Sequence, residues 1–125
     1  MSKTVDTLTM PAGQYWVGDL CYVLRDQWQE VCEILAGGVN GVHTLEDGTQ
    51  FACFSTAWGD GIYEDGSCND YAVDAGIIGC VLAGKVNHGG AWGHVHTFRR
   101  PFPVGRTGGV IRFGRIAIDT DPEDA

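Results

Sequence analysis

Short apolar stretches alternate with clusters of turn formers along most of the chain, and only one stretch has helical spacing. Ile62 to Glu64 and Tyr71 to Ala75 alternate apolar with polar residues, and Ile77 to Leu82 is an unbroken apolar run. That pattern predicts a β-hairpin running into a strand buried on both faces. Val42 to Leu45 and Thr49 to Ser55 flank Glu46-Asp47-Gly48, a second hairpin. Residues 4–9 read as a strand that stops at the Pro11-Ala12-Gly13 turn. Gln14 to Leu24 reads as two short strands or one kinked strand, with Gly18-Asp19 as a bulge or tight turn. Ala91 to Phe98 puts Trp92, His94, His96 and Phe98 on one side of a strand, after which Pro101 and Pro103 interrupt the pattern. Gly105 to Gly109 reads as a flexible loop and Val110 to Ile118 as a last strand with a bulge at Gly114. The exception is the stretch after Asp26. Trp28, Val31, Cys32 and Leu35 share one helical face, Asp26 stands as N-cap with Gln29 at the capping-box position, and Gly37-Gly38 closes the segment.

These patterns predict an all-β domain, an antiparallel sandwich or partly open barrel of about eight short strands. One amphipathic helix near residues 26–36 is expected to lie against a sheet. Residues 1–118 are expected to form a single domain and residues 119–125 an acidic tail that frays.

The central hairpin has two registers. A two-residue Asp65-Gly66 turn pairs Glu64 with Ser67 and gives no chemistry. A looser loop over Asp65 to Asn69 pairs Tyr63 with Tyr71 and Ile62 with Ala72, and it stacks Asp60 against Asp74. Like charges opposed across a ladder call for a cation, an arginine or a shared proton. The simpler account of Asp60 is that it caps the Gly-Asp-Gly turn.

Five cysteines without a Cys-x-x-Cys pair suit reduced thiols, most of them core filler. No apolar run approaches the roughly 18 residues of a membrane span, and Met1 to Met10 lacks the apolar core of a signal peptide. A cytoplasmic location with no membrane partner is expected. The formal charge of −8 is unevenly distributed. Met1 to Gly84 holds Lys3 and Arg25 against twelve acids, whereas Lys85 to Arg115 holds six basic residues and no acid. Such a segment either balances the central acids or forms a site for an anion. The overall charge opposes duplex nucleic acid as a partner.

His94-Val95-His96 has a spacing that serves metals, but no third ligand follows. A cupin would place a Glu soon after, and a histidine-triad hydrolase would place His where Phe98 stands. Asp60, Glu64, Asp65, Asp70 and Asp74 lack EF-hand spacing and suit a solvated hairpin tip. Walker, dinucleotide and Gly-x-Ser-x-Gly motifs are absent, and Cys21 or Cys68 with a distant His is too unspecific to define a nucleophile. What survives is a site for a small anion or nucleotide, built from Arg99, Arg100 and Arg106 as phosphate donors. Trp92, Phe98 or Phe102 would stack a base, and His94 and His96 stand nearby. No cofactor and no metal are expected, and no catalytic residue is assigned.

Tyr15-Trp16-Val17-Gly18-Asp19-Leu20-Cys21-Tyr22-Val23 and Trp58-Gly59-Asp60-Gly61-Ile62-Tyr63, the latter followed by Val73-Asp74-Ala75-Gly76, resemble motifs of small uncharacterised bacterial and phage proteins. The second motif is also similar to that of a bacterial domain-of-unknown-function family. The resemblance covers residues 15–23 and 56–79, implies a β-rich fold and a phage or prophage origin, and points at Asp19, Asp60 and Asp74 without giving them roles. The expected function is a small cytosolic binding protein, phage-derived and anti-defence, that sequesters a phosphate-bearing molecule. The alternatives are a module whose acidic face engages a host protein, and a hydrolase with an Asp60/Asp74 carboxylate pair as a possible acid site.

Overall fold

The computed structural model describes residues 8–86 and 92–121, and all paired strands in it are antiparallel. The strands are β1 (Leu8–Met10), β2 (Gly13–Gly18), β3 (Gly41–Thr44), β4 (Gln50–Ser55), β5 (Gly61–Glu64), β6 (Asp70–Val73), β7 (Ile77–Leu82), β8 (His94–Phe98), β9 (Phe102–Thr107), β10 (Val110–Phe113) and β11 (Ile116–Asp119). A 3-10 turn at Arg25–Gln27 runs into the helix α1 (Trp28–Leu35). One sheet has the order β3-β4-β7-β2-β8 and a second the order β1-β9-β10-β11, while β5 and β6 form a separate hairpin. The all-β expectation holds, with eleven short strands among the described residues where about eight were anticipated. The ladders do not close into a barrel.

The five-stranded sheet is buried on both faces because β2 and β7 send successive side chains to two different cores. Tyr15, Val17, Ile78 and Cys80 enter the core between the sheets with Phe54, Phe98, Phe102, Ile111, Phe113 and Ile118. Trp16, Ile77 and Val81 enter the other, where Leu20, Leu24 and Val31 cover them. Helix α1 therefore lies on the sheet, as its apolar stripe requires. The β5–β6 hairpin lies at the side of the sandwich. An isolated bridge joins Asp65 to Ile118 of β11, and the Ala72 N–H donates to the Trp92 carbonyl ahead of β8 at 3.3 Å.

Several sequence expectations need correction. Of the two readings of Gly18-Asp19 the turn holds and the bulge does not: β2 ends at Gly18, a 3-10 turn capped by Asp19 follows at Leu20–Tyr22, and no second strand forms up to Leu24. Asp26 lies inside the 3-10 turn, so the residue before α1 is Gln27, which provides no side-chain cap. Cys32 is exposed, and Ile34 packs instead. The segment expected to be interrupted by Pro103 and to loop at Gly105 is the continuous strand β9. Proline is tolerated there because the β10 ladder ends at Val104, and beyond it Pro103 has only to accept, its carbonyl taking the N–H of Gly114 at 2.7 Å. Gly114 is not a bulge in one long strand. It opens a two-residue turn between β10 and β11, with Phe113 opposite Ile116 and φ of 59° at the glycine. Asp119 closes β11 and Thr120 is buried, so the expected tail is ordered this far. Residues 122–125 lie outside the described residues, as do residues 4–7 of the first expected strand, together with His88 and Ala91.

Candidate functional site

The looser register of the central hairpin is the one adopted. Tyr63 pairs with Tyr71, Ile62 with Ala72 and Glu64 with Asp70, around a loop closed by the Asp65 N–H to the Asn69 carbonyl. The ladder ends at Gly61 and Val73, so Asp60 and Asp74 flank its end, both exposed. Among the described residues no three His, Cys, Asp or Glu side chains gather into a metal site. The carboxylate that caps a turn is Asp65. One oxygen accepts from the N–H groups of Ser67 and Asn69 at 2.7 and 3.2 Å. The other accepts from the Asn69 amide and the Tyr71 hydroxyl at 3.1 and 2.6 Å.

Asp65, Tyr71 and His96 form one chain of hydrogen bonds. The Tyr71 hydroxyl donates to Asp65 and therefore accepts from Nε2–H of His96, 3.0 Å away, which selects that tautomer of the imidazole. His94 meets the Asp70 carbonyl through Nε2 at 2.8 Å and sits edge-on to Tyr71, ring centroids 5.0 Å apart. The shared face expected for His94 and His96 is thus real, but each ring has a nitrogen engaged with the β6 side of the hairpin. Burial, reinforced by Asp65, pushes the Tyr71 pKa up, so the phenol keeps its proton. Burial pushes the Asp65 carboxyl up as well, but the hydrogen bonds from Tyr71, Asn69 and Ser67 outweigh it and hold the group below its ordinary value. Burial lowers the His96 pKa. Asp65 opposes that, and Arg115 and His94 add to it.

The sign of the pH dependence follows. A histidine whose folded pKa is depressed contributes stability that is fully present above its unfolded value of about 6.5 and is lost as pH falls from there through the lower folded pKa. The Asp65 contribution survives to lower pH and is lost as pH falls through its depressed folded pKa. Thermal melts are expected to fall as pH drops below about 6.5, and His96→Gln should lose less over that range than the wild type. Equal losses in the two proteins would contradict this assignment.

Asp19 is fully buried, and its place is structural. Its carboxylate accepts from the N–H of Cys21 at 3.0 Å, of Asp74 at 2.8 Å and of Ala75 at 2.6 Å. Residues 15–23 and 56–79 are joined through this group. The second stretch is knotted to itself as well: the Thr56 N–H donates to the Gly76 carbonyl and the Thr56 hydroxyl to that of Gly59. No sequence rule pairs Asp19 with amides 55 and 56 residues away, although a buried Asp after a Gly is the kind of residue that holds loop N–H groups.

The basic segment is divided by the fold. Arg99 and Arg100 stand in the turn between β8 and β9, and Arg115 stands in the β10–β11 turn beside them. With Thr97 and Gly114 they line an open depression of about 660 Å³ to which no carboxylate among the described residues contributes. Arg106 is four residues along β9 from Phe102, about 13 Å at strand rise, and does not line it. Trp92 lies before the opposite end of β8 against Tyr22. Phe98 and Phe102 are each 4% exposed and stack on one another at 3.8 Å, and the Arg115 guanidinium lies 4.9 Å from the Phe98 ring centre. Neither phenylalanine offers a free face to a base. Sequence reasoning missed Arg115, whose approach depends on the turn at Gly114.

The cysteines offer no activated nucleophile in the core. All five are free, and Cys53 and Cys80 are buried, fewer core thiols than expected. Burial pushes Cys21, Cys53 and Cys80 up to about 12, with Asp19 adding to the effect at Cys21 and Cys53. No helix among the described residues is long and apolar enough to cross a membrane. No protein-family profile, curated protein or solved structure matches this chain.

Proposed function

We propose that the protein is a small binding protein that holds a phosphate-bearing small molecule in the depression between the β8–β9 and β10–β11 turns. The observation that carries this reading is the convergence of Arg99, Arg100 and Arg115 around one opening that no carboxylate among the described residues lines, in a chain of net charge −8. Guanidinium forks match phosphate oxygens in pairs, and the opening has the size of a small-molecule site. Because Phe98 and Phe102 cover each other, the site reads the phosphate and leaves any base in solvent. The resemblance to small phage and bacterial proteins extends the reading to sequestration of a nucleotide signal, an anti-defence role in the host cytoplasm.

A thermal-shift panel of nucleotides, cyclic nucleotides and sugar phosphates tests it. A ligand at about a hundredfold excess over its dissociation constant should stabilise the fold by about 2.7 kcal/mol. The Arg99→Ala/Arg100→Ala variant should melt near the wild type without ligand, because both side chains are exposed, and should lose the shift. A shift that persists in that variant, or none with any phosphate, overturns the reading.

A further inference from the structure

Trp58 is 71% exposed and Ile62 72% exposed, and folding gives no reason for either to face water. Their presentation is nevertheless built. The indole N–H of Trp58 donates to Asp121 at 2.9 Å, the N–H of Ala57 donates to the buried Thr120 hydroxyl at 3.0 Å, and that hydroxyl is anchored on the Gly109 carbonyl. On the far side of the loop the Tyr63 hydroxyl donates to the Gly59 carbonyl at 3.0 Å. An aromatic ring held by its polar edge with its faces in solvent has already lost the rotamer freedom that binding would otherwise remove.

Among the described residues, the charged ones that line the depression beside Ile62 are all acidic, while Arg112 is paired opposite the lining residue Ala117 across the β10–β11 ladder. The Asp121 N–H bonds to Asp119, and Asp119 lines an open depression of about 590 Å³ with Ile62, Tyr63, Glu64 and Asp70. Among the described residues no basic one lines that depression, and the Arg-lined one shares no lining residue with it. We infer that this face docks a basic, apolar segment of a partner protein, with Trp58 and Ile62 taking its apolar side chains and Glu64, Asp70 and Asp119 its cationic ones. Charge complementarity selects that occupant. The carboxylates repel a phosphate or nucleic acid and attract cationic side chains, while the exposed surfaces of Trp58 and Ile62 take apolar ones. Tryptophan is also a residue type that dominates interface energetics.

The test uses the full chain and three synthetic ten-residue peptides labelled for anisotropy: one alternating arginine with leucine, one alternating arginine with serine, and one alternating glutamate with leucine. The arginine–leucine peptide is expected to bind saturably, to shift the indole N–H resonance of Trp58 in the protein spectrum, and to lose at least tenfold in affinity in Trp58→Ala. Should Trp58→Ala melt well below the wild type, Ile62→Ser reads the same face without touching the indole hydrogen bond. Asp119→Asn should weaken binding and flatten its salt dependence, and Arg99→Ala/Arg100→Ala should leave it unchanged. Equal affinity for the arginine–serine peptide would reduce the surface to an ion exchanger and overturn the inference. So would wild-type affinity in both Trp58→Ala and Ile62→Ser, or no binding of the arginine–leucine peptide.

Discussion

Replacing Asp19 by Ala should cost the fold about 3 kcal/mol or more, the largest loss expected of any single substitution discussed. Three backbone N–H groups, from Cys21, Asp74 and Ala75, point at this carboxylate inside the protein. Each buried donor left without a partner costs about 1–3 kcal/mol. The carboxylate joins the 3-10 turn after β2 to the loop between β6 and β7, so its loss loosens both the seat of helix α1 and the base of the central hairpin. Asp19→Asn should recover part of the loss, since the amide keeps one acceptor oxygen but turns two donors toward N–H groups. Urea unfolding of the three proteins measures this. A cost below about 1 kcal/mol for the alanine would mean that water replaces the carboxylate.

Gly79→Ala should be nearly as damaging, for a steric reason. Gly79 pairs with Gly18 on one side and Cys53 on the other, in the centre of the five-stranded sheet. A methyl group there would lie 2.4 Å from the Ala52 carbonyl oxygen and 2.7 Å from a methyl of Leu20. The carbonyl belongs to a laddered backbone and cannot turn away. Overpacking typically costs about 1–3 kcal/mol, and the upper end is expected here because the neighbour is main chain. Leu20 is the residue after Asp19, so the missing side chain at position 79 lets the 3-10 turn sit down on the sheet and bring Asp19 to its amides. Gly79→Ala combined with Asp19→Ala should therefore cost less than the sum of the two, as denaturant melts of the double variant would read. Strict additivity would separate the two features.

The parts of the fold governed by near neighbours were readable in the chain. Alternation over Ile62 to Glu64 and Tyr71 to Val73 marks the hairpin. The apolar run from Ile77 marks the strand that is buried on both faces, and the order His94, His96, Phe98 marks a common side, although Trp92, expected there too, precedes β8 and lies against Tyr22. What escaped depends on partners distant in sequence. Pro103 resembles a strand breaker until its place beyond the end of the β10 ladder is known. Gly114 in an apolar stretch reads as a bulge unless the pairing of Phe113 with Ile116 is seen. In the site, Asp65 carried a readable signal, because Asp-Gly-Ser favours a side chain that accepts from the backbone two residues on. The arginines were legible as a group by charge alone, but only the two turns show that Arg115 joins Arg99 and Arg100 while Arg106 does not.

Calorimetric titration of a nucleoside diphosphate into the wild type and into Arg99→Ala/Arg100→Ala, at low and at physiological salt, tests the phosphate site most directly. The wild type should bind one equivalent, more weakly at the higher salt, because exposed guanidinium groups are screened over a Debye length of about 8 Å. The double variant should lose tenfold or more in affinity, while Trp58→Ala should match the wild type. Wild-type affinity in the double variant would contradict the assignment of this depression as the ligand site.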